Sequence, residues 1–145
     1  MIPALEPPAL VGMSVDDVDT PALIVDLDAF DANLTLMAEK LRGGVARLRP
    51  HAKTHKCPSV ALRQIAAGAV GVACQKVGEA EAMVAGGVDN VLVTNQIVGP
   101  RKLSRLSALA RRAWIGVCVD AASHVDRVGE AAGECGTHVH VLVEI

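Results

Sequence analysis

The chain has 145 residues and 15.0 kDa, a size that suits one modest domain or part of a larger one. A formal charge of −2 leaves no basic footprint for nucleic acid, and Phe30 and Trp114, the only aromatic residues, offer no stacking platform for single strands. With 51 % hydrophobic residues and a mean hydropathy of +0.36, the chain reads as folded, and its Ala, Val and Leu suit strands buried on both faces.

The N-terminal MIPALEPPALVGM is apolar but has no cationic start and is broken by Pro3, Pro7 and Pro8, so it does not read as a signal peptide. A strand is expected over 22–27 (ALIVDL). It is followed by a helix over 28–41 with Phe30, Leu34, Met37 and Leu41 on one stripe and Asp28 as N-cap. Next come a strand over 47–53 and a helix over 58–67, with Pro58 near its first position and Gly68 past its end. The pattern continues as strand 70–75, helix 78–85 stopped by Gly86 and Gly87, strand 90–95, helix 100–112, strand 113–120, helix 121–135 and strand 138–145. Strand and helix alternating at this regular interval is the mark of right-handed βαβ crossovers onto a parallel sheet.

The longest uncharged apolar run, 65–74, is about half of a membrane span, and no membrane partner is expected. Cys57, Cys74, Cys118 and Cys135 form no C-x-x-C pair, which fits a reduced, cytoplasmic protein. The last stretch reads as an apolar core strand with no helix to cover it and no partner on its far edge. A parallel sheet needs both faces covered, and a complete (β/α)₈ barrel takes about 250 residues. These residues are therefore expected to be the N-terminal portion of a longer polypeptide.

The chemistry concentrates in Arg49-Pro50-His51-Ala52-Lys53-Thr54-His55-Lys56. In a strand, alternate residues share a face. Arg49, His51, Lys53 and, if the strand runs on, His55 would then point the same way. A solvated edge strand or a basic turn accounts for such a run equally well. The chemical alternative is a lysine whose ammonium form is disfavoured by neighbouring cations and burial, leaving a neutral amine to form a Schiff base. Neighbouring imidazoles could move protons near neutral pH. His51, His55 and Cys57 lack a fourth partner for a closed zinc site.

The run TPALIVDLDAFDANL (20–34) followed by RPHAKTHK resembles the fold-type III pyridoxal-phosphate enzymes. Within that group it resembles the D-threonine aldolase, 3-hydroxy-D-aspartate aldolase and D-serine dehydratase family, whose barrel is of the alanine racemase N-terminal type. The likeness continues through GAVGVACQKVGEAEAMVAGGVDNVLVTNQIVG (68–99) to the terminal VLVEI, and the R-P-H-x-K-T-H-K string is its most specific part.

That resemblance implies an α/β fold, the N-terminal part of a (β/α)₈ barrel, with about five barrel strands here. The leading strand over 22–27 would belong to a C-terminal β-domain, residues 1–19 would be an N-terminal extension, and 20–145 a partial cofactor-binding barrel domain. It implies pyridoxal 5′-phosphate on Lys53, a divalent metal (Mn, Mg or Zn) whose ligands lie beyond residue 145, and a homodimer. It also implies a lyase that cleaves small D-3-hydroxy amino acids to glycine and an aldehyde. His51 and His55 are candidate proton-transfer residues. Gln75, Thr94 and Asn95, at successive strand ends, are candidates for contacting the cofactor; their alternative role is to cap the following helices. D-serine dehydratase and a non-catalytic pyridoxal-phosphate carrier are the competing readings, and the 145 residues alone are expected to be inactive.

Among the remaining residues, Cys74 is expected in the core, and Glu144 faces either mouth or core. His138 and His140 share one face of the last strand. Arg101, Lys102, Arg105, Arg111 and Arg112 are expected on a solvated helix face.

Overall fold

The computed structural model describes Pro7 and residues 9–145; Pro3 and Pro8, and with them part of the apolar N-terminus, lie outside the described residues. The chain divides into two compact units, Met1–Asn33 and Leu34–Ile145.

In the first unit, a short 3₁₀ turn at Val15–Asp17 is capped by Ser14. The expected strand over 22–27 does not form: residues 22–26 belong to no regular element and have no ladder partner among the described residues, Leu27 already opens a helix, and Leu23 is 87 % exposed. An apolar β-prone run becomes a strand only when another backbone takes up its N–H and C=O groups. Helix α1 (Leu27–Leu41) begins where Asp26, rather than Asp28, supplies the cap, its Oδ1 accepting from Ala29 N–H at 2.8 Å.

The second unit holds a four-stranded parallel sheet in the order β1 (Val72–Cys74), β2 (Asn90–Val93), β3 (Trp114–Val119), β4 (His140–Val143). Helices α2 (Pro58–Ala66), α3 (Val77–Ala85), α4 (Pro100–Leu109) and α5 (Ala122–Cys135) alternate with the strands. The breakers act where expected. Pro58 and Pro100 open α2 and α4, where a missing N–H costs nothing. Gly86 ends α3, and α5 stops at Gly136 in the left-handed conformation, φ 63°. Strand ends fall short of the sequence boundaries; β1, for example, covers Val72–Cys74 rather than 70–75.

Alternation along the strands sends Val72, Cys74, Val91, Val93, Ile115 and Val117 to one face. There they form a single core with Ala80, Met83, Leu103, Leu106, Val128 and Ala131 of the helices. Each fully buried large aliphatic removes apolar surface worth about 1.5–3 kcal/mol. β4 differs, with all four residues exposed, Val143 at 73 %. Among the described residues no helix is long and apolar enough to cross a membrane.

The expected strand over 47–53 needs correction. This segment runs parallel to β1, but only His51 and Ala73 form a bridge. Ala52 N–H donates to Ala73 O at 2.7 Å, and Ala73 N–H to Pro50 O at 2.8 Å. Pro50 has no N–H to give, so the ladder has no donor there. Beyond Ala52 the chain turns, with Lys56 N–H reaching back to Ala52 O at 2.7 Å. Four regular strands and one bridged segment therefore stand in place of about five strands.

Candidate active site

The bridge to β1 carries the lysine segment to the C-terminal ends of the strands. Lys53 lies in the turn that follows, exposed, and its amine meets no carboxylate among the described residues. Its backbone is tethered instead: Lys53 N–H donates to His51 Nδ1 at 3.2 Å. His51 Nε2 lies 3.2 Å from Thr94 Oγ1, at the end of β2. The Thr94 hydroxyl donates to Cys74 O at 3.3 Å, at the end of β1. Burial, with the Lys53 charge nearby, pushes His51 below the ordinary imidazole range, while Glu79 pulls the other way. A neutral ring is what this bonding pattern needs, since Nδ1 has to accept.

Gln75 and Asn95 also lie at strand ends, where their bonds join adjacent strands. Asn95 Nδ2 donates to Gln75 O at 2.9 Å, and Gln75 N–H donates to Glu79 Oε2 at 2.8 Å, in the first turn of α3. Their side chains line a cavity of about 650 Å³ together with Lys56, Lys76 and Lys102.

His55 is not brought to this group. The strand does not run on, so the face-sharing that would have aligned His55 with His51 is lost at the turn. His55 Nδ1 accepts from Cys57 N–H at 3.0 Å. Burial lowers its basicity, and the Gln64 side chain of α2 raises it. Lys56, just after it, adopts a positive φ of 51°.

Glu144, open between mouth and core in the sequence, accepts from Gln96 Nε2 at 2.8 Å, which places it at the strand ends, and burial together with the Glu144 charge raises the Cys118 thiol. One feature escaped the sequence reading. At the opposite ends of the strands, Arg49 lies 5.3 Å from the Trp114 ring centroid and donates to Val72 O at 3.3 Å. The other neighbour of Trp114 is His140, whose ring stacks on it at 4.6 Å. Strand alternation assigns Arg49 the same side as His51, but only the register of β3 against β4 brings Trp114 and His140 together. Cys74 is buried in the core, its thiol pushed up to about 12 by burial. The basic run on and after α4 is exposed, with Arg105 paired to Glu81 and Arg111 donating to Cys135 O. Among the described residues no three His, Cys, Asp or Glu side chains gather to hold a metal.

The profile of one family, "Alanine racemase, N-terminal domain", matches residues 25–145. The chain belongs to that family. Within the alanine racemase N-terminal family it is 49 % identical over 142 residues to a D-threonine aldolase of Arthrobacter sp, covering 98 % of this chain and 38 % of that protein. It is 42 % identical over 140 residues to a 3-hydroxy-D-aspartate aldolase of Paracoccus denitrificans, covering 95 % and 36 %. The crystal structure of D-threonine aldolase from Filomicrobium marinum superposes with a TM-score of 0.92 at 54 % identity, covering 97 % of this chain and 38 % of that one. The chain thus spans under two fifths of the length of these relatives. The α/β sheet described above is the N-terminal part of an alanine racemase-like barrel.

Proposed function

We propose that this chain is the lysine-bearing part of a pyridoxal-phosphate lyase that cleaves D-3-hydroxy amino acids, D-threonine or 3-hydroxy-D-aspartate, to glycine and an aldehyde. The observation that carries this reading is the Lys53 amine. It sits exposed and unpaired among the described residues, at the end of a strand-like segment, in a turn tethered to a neutral imidazole. A lysine amine that no carboxylate engages is free to reach a carbonyl carbon, with which lysine amines form Schiff bases. The aldolase relatives support the choice of reaction.

The residues present fit the aldehyde end of the cofactor. Lys53 would hold it covalently; when bound, the cofactor supplies an electron sink for the bond broken at Cα. His51, kept neutral, has its ring nitrogens bonded to Lys53 N–H and Thr94 Oγ1; it would move a proton beside the lysine by exchanging one of these bonds. Gln75, Thr94 and Asn95 present amide and hydroxyl groups at the same strand ends and orient what Lys53 holds. His55, turned toward Gln64, buttresses the turn.

In the same reading, residues 1–19 form an extension and 20–145 a partial barrel domain, and the unpaired run 22–27 pairs in a β-domain. A divalent metal is bound by residues outside this chain, and the enzyme is a cytoplasmic homodimer. The test is to express the uninterrupted reading frame, add pyridoxal phosphate, reduce with borohydride and map the modified peptide by mass. We expect one adduct, on Lys53, and glycine from D-threonine or 3-hydroxy-D-aspartate. Adducts scattered over surface lysines would overturn the cofactor assignment, and pyruvate from D-serine without glycine would replace cleavage by elimination.

A further inference from the structure

The chain of polar groups that ends on Lys53 has a direction that chemistry forces. A backbone N–H can only donate, so His51 Nδ1 must offer its lone pair to Lys53 N–H. The proton of the neutral ring then sits on Nε2 and points to Thr94 Oγ1. The hydroxyl, accepting from the ring, sends its own proton to Cys74 O. Thr94 is itself fixed, because its main-chain N–H donates to the same carbonyl at 2.9 Å. The hydroxyl therefore spends its one donor and one of its two acceptor positions inside the protein.

We propose that Thr94 is a positioning residue: by accepting the Nε2 proton of His51 it holds the ring, in the tautomer that the Lys53 N–H requires, against the Lys53 backbone, and so fixes the turn that presents the Lys53 amine. The opposite tautomer would set a ring N–H against the Lys53 N–H. Rotating the Thr94 hydroxyl would satisfy Nε2 but would leave that clash in place. Among the described residues, the other main-chain tie across this turn is Lys56 N–H to Ala52 O. Thr94 thus acts on Lys53 through His51, from a different strand and 41 positions along the chain. The catalytic weight of this arrangement rests on Lys53 being the cofactor lysine; the hydrogen-bond geometry does not.

Long-range ¹H–¹⁵N correlation spectra of the imidazoles near neutral pH, on protein from the uninterrupted reading frame, read the tautomer directly. The wild type should show His51 with its proton on Nε2. Thr94→Val, isosteric but without the hydroxyl, should lose the protected ring proton and slow borohydride-trapped addition of pyridoxal phosphate at Lys53 about five-fold, the worth of one hydrogen bond. Thr94→Ser should restore both. A wild-type ring protonated on Nδ1 would overturn the proposal, as would a Thr94→Val protein with unchanged protection of the Nε2 proton and unchanged trapping rate. Should Thr94→Val fail to fold, the wild-type spectrum still decides. If wild type traps no cofactor at Lys53, the cofactor reading fails while protection of the Nε2 proton still judges Thr94.

Discussion

On one face of the sheet, Val72, Val91, Val93, Ile115 and Val117 point into the helices and are fully buried. On the other, the same strands and the bridged segment present Arg49, His51, Asn90, Thr94, Trp114 and Cys118, and the polar contacts described above gather there. The first face is interchangeable aliphatic bulk, where volume and pattern suffice. The second has specific partners, each bond given a direction by donor and acceptor chemistry. The two faces differ in character by strand parity, so a one-residue shift in register would exchange them.

That division can be broken at either face. The largest effect should come from the polar face: in the complete protein, Lys53→Ala should abolish both the borohydride-trapped adduct and lyase turnover while leaving the melting transition nearly unmoved. On the apolar face, Leu106→Ala should cost about 2–5 kcal/mol in urea unfolding, through lost transfer energy and a residual cavity, with little change in the trapping of cofactor by the folded protein. Gly71→Ala tests where the faces meet. Its φ is +143°, and an added Cβ would clash with the Asn90 main-chain oxygen and lie 2.7 Å from both Arg49 Nη1 and Asn90 Oδ1. A cost of about 1–3 kcal/mol is expected, with disturbance of the Arg49–Trp114 contact visible in Trp fluorescence.

The smallest effect is in pH dependence. His51 and His55 are both held below the ordinary value of 6.5, chiefly by burial. Between their folded values and 6.5 the unfolded chain binds more protons than the folded one, so stability rises with pH through that window. Their contribution is complete above 6.5 and is lost as the pH falls through the folded values. A His51→Asn/His55→Asn protein should show a flatter dependence of its urea midpoint on the acid side; an unchanged slope would assign the titration to other groups.

The period of the fold was legible because Pro and Gly punctuate the helices and Val-rich runs mark the strands. What the sequence reading lacked was pairing. Segment 22–27 has the composition of a strand, yet only a partner backbone could make it one. Pro50 carried a readable warning, since a residue without an N–H interrupts any ladder, and it explains why 47–53 pairs by a single bridge. His55 was aligned with His51 by extending a strand that in fact ends at Ala52. Thr94 was legible as a strand-end residue but not as the partner of His51, because a contact across 43 positions depends on how separate strands lie beside each other. The stack of Trp114 on His140 was hidden for the same reason.

The turn at Lys53 is held by its main chain, through His51 on one side and the Lys56–Ala52 bond on the other, and not by the lysine's side chain, which is exposed. Cutting the side chain back should therefore leave a preformed vacancy rather than a collapsed loop. A small primary amine added from solution, such as methylamine or ethylamine, should be able to occupy that vacancy and return part of the lost turnover to the Lys53→Ala enzyme. The preferred size of the rescuing amine would then measure the space the lysine had filled.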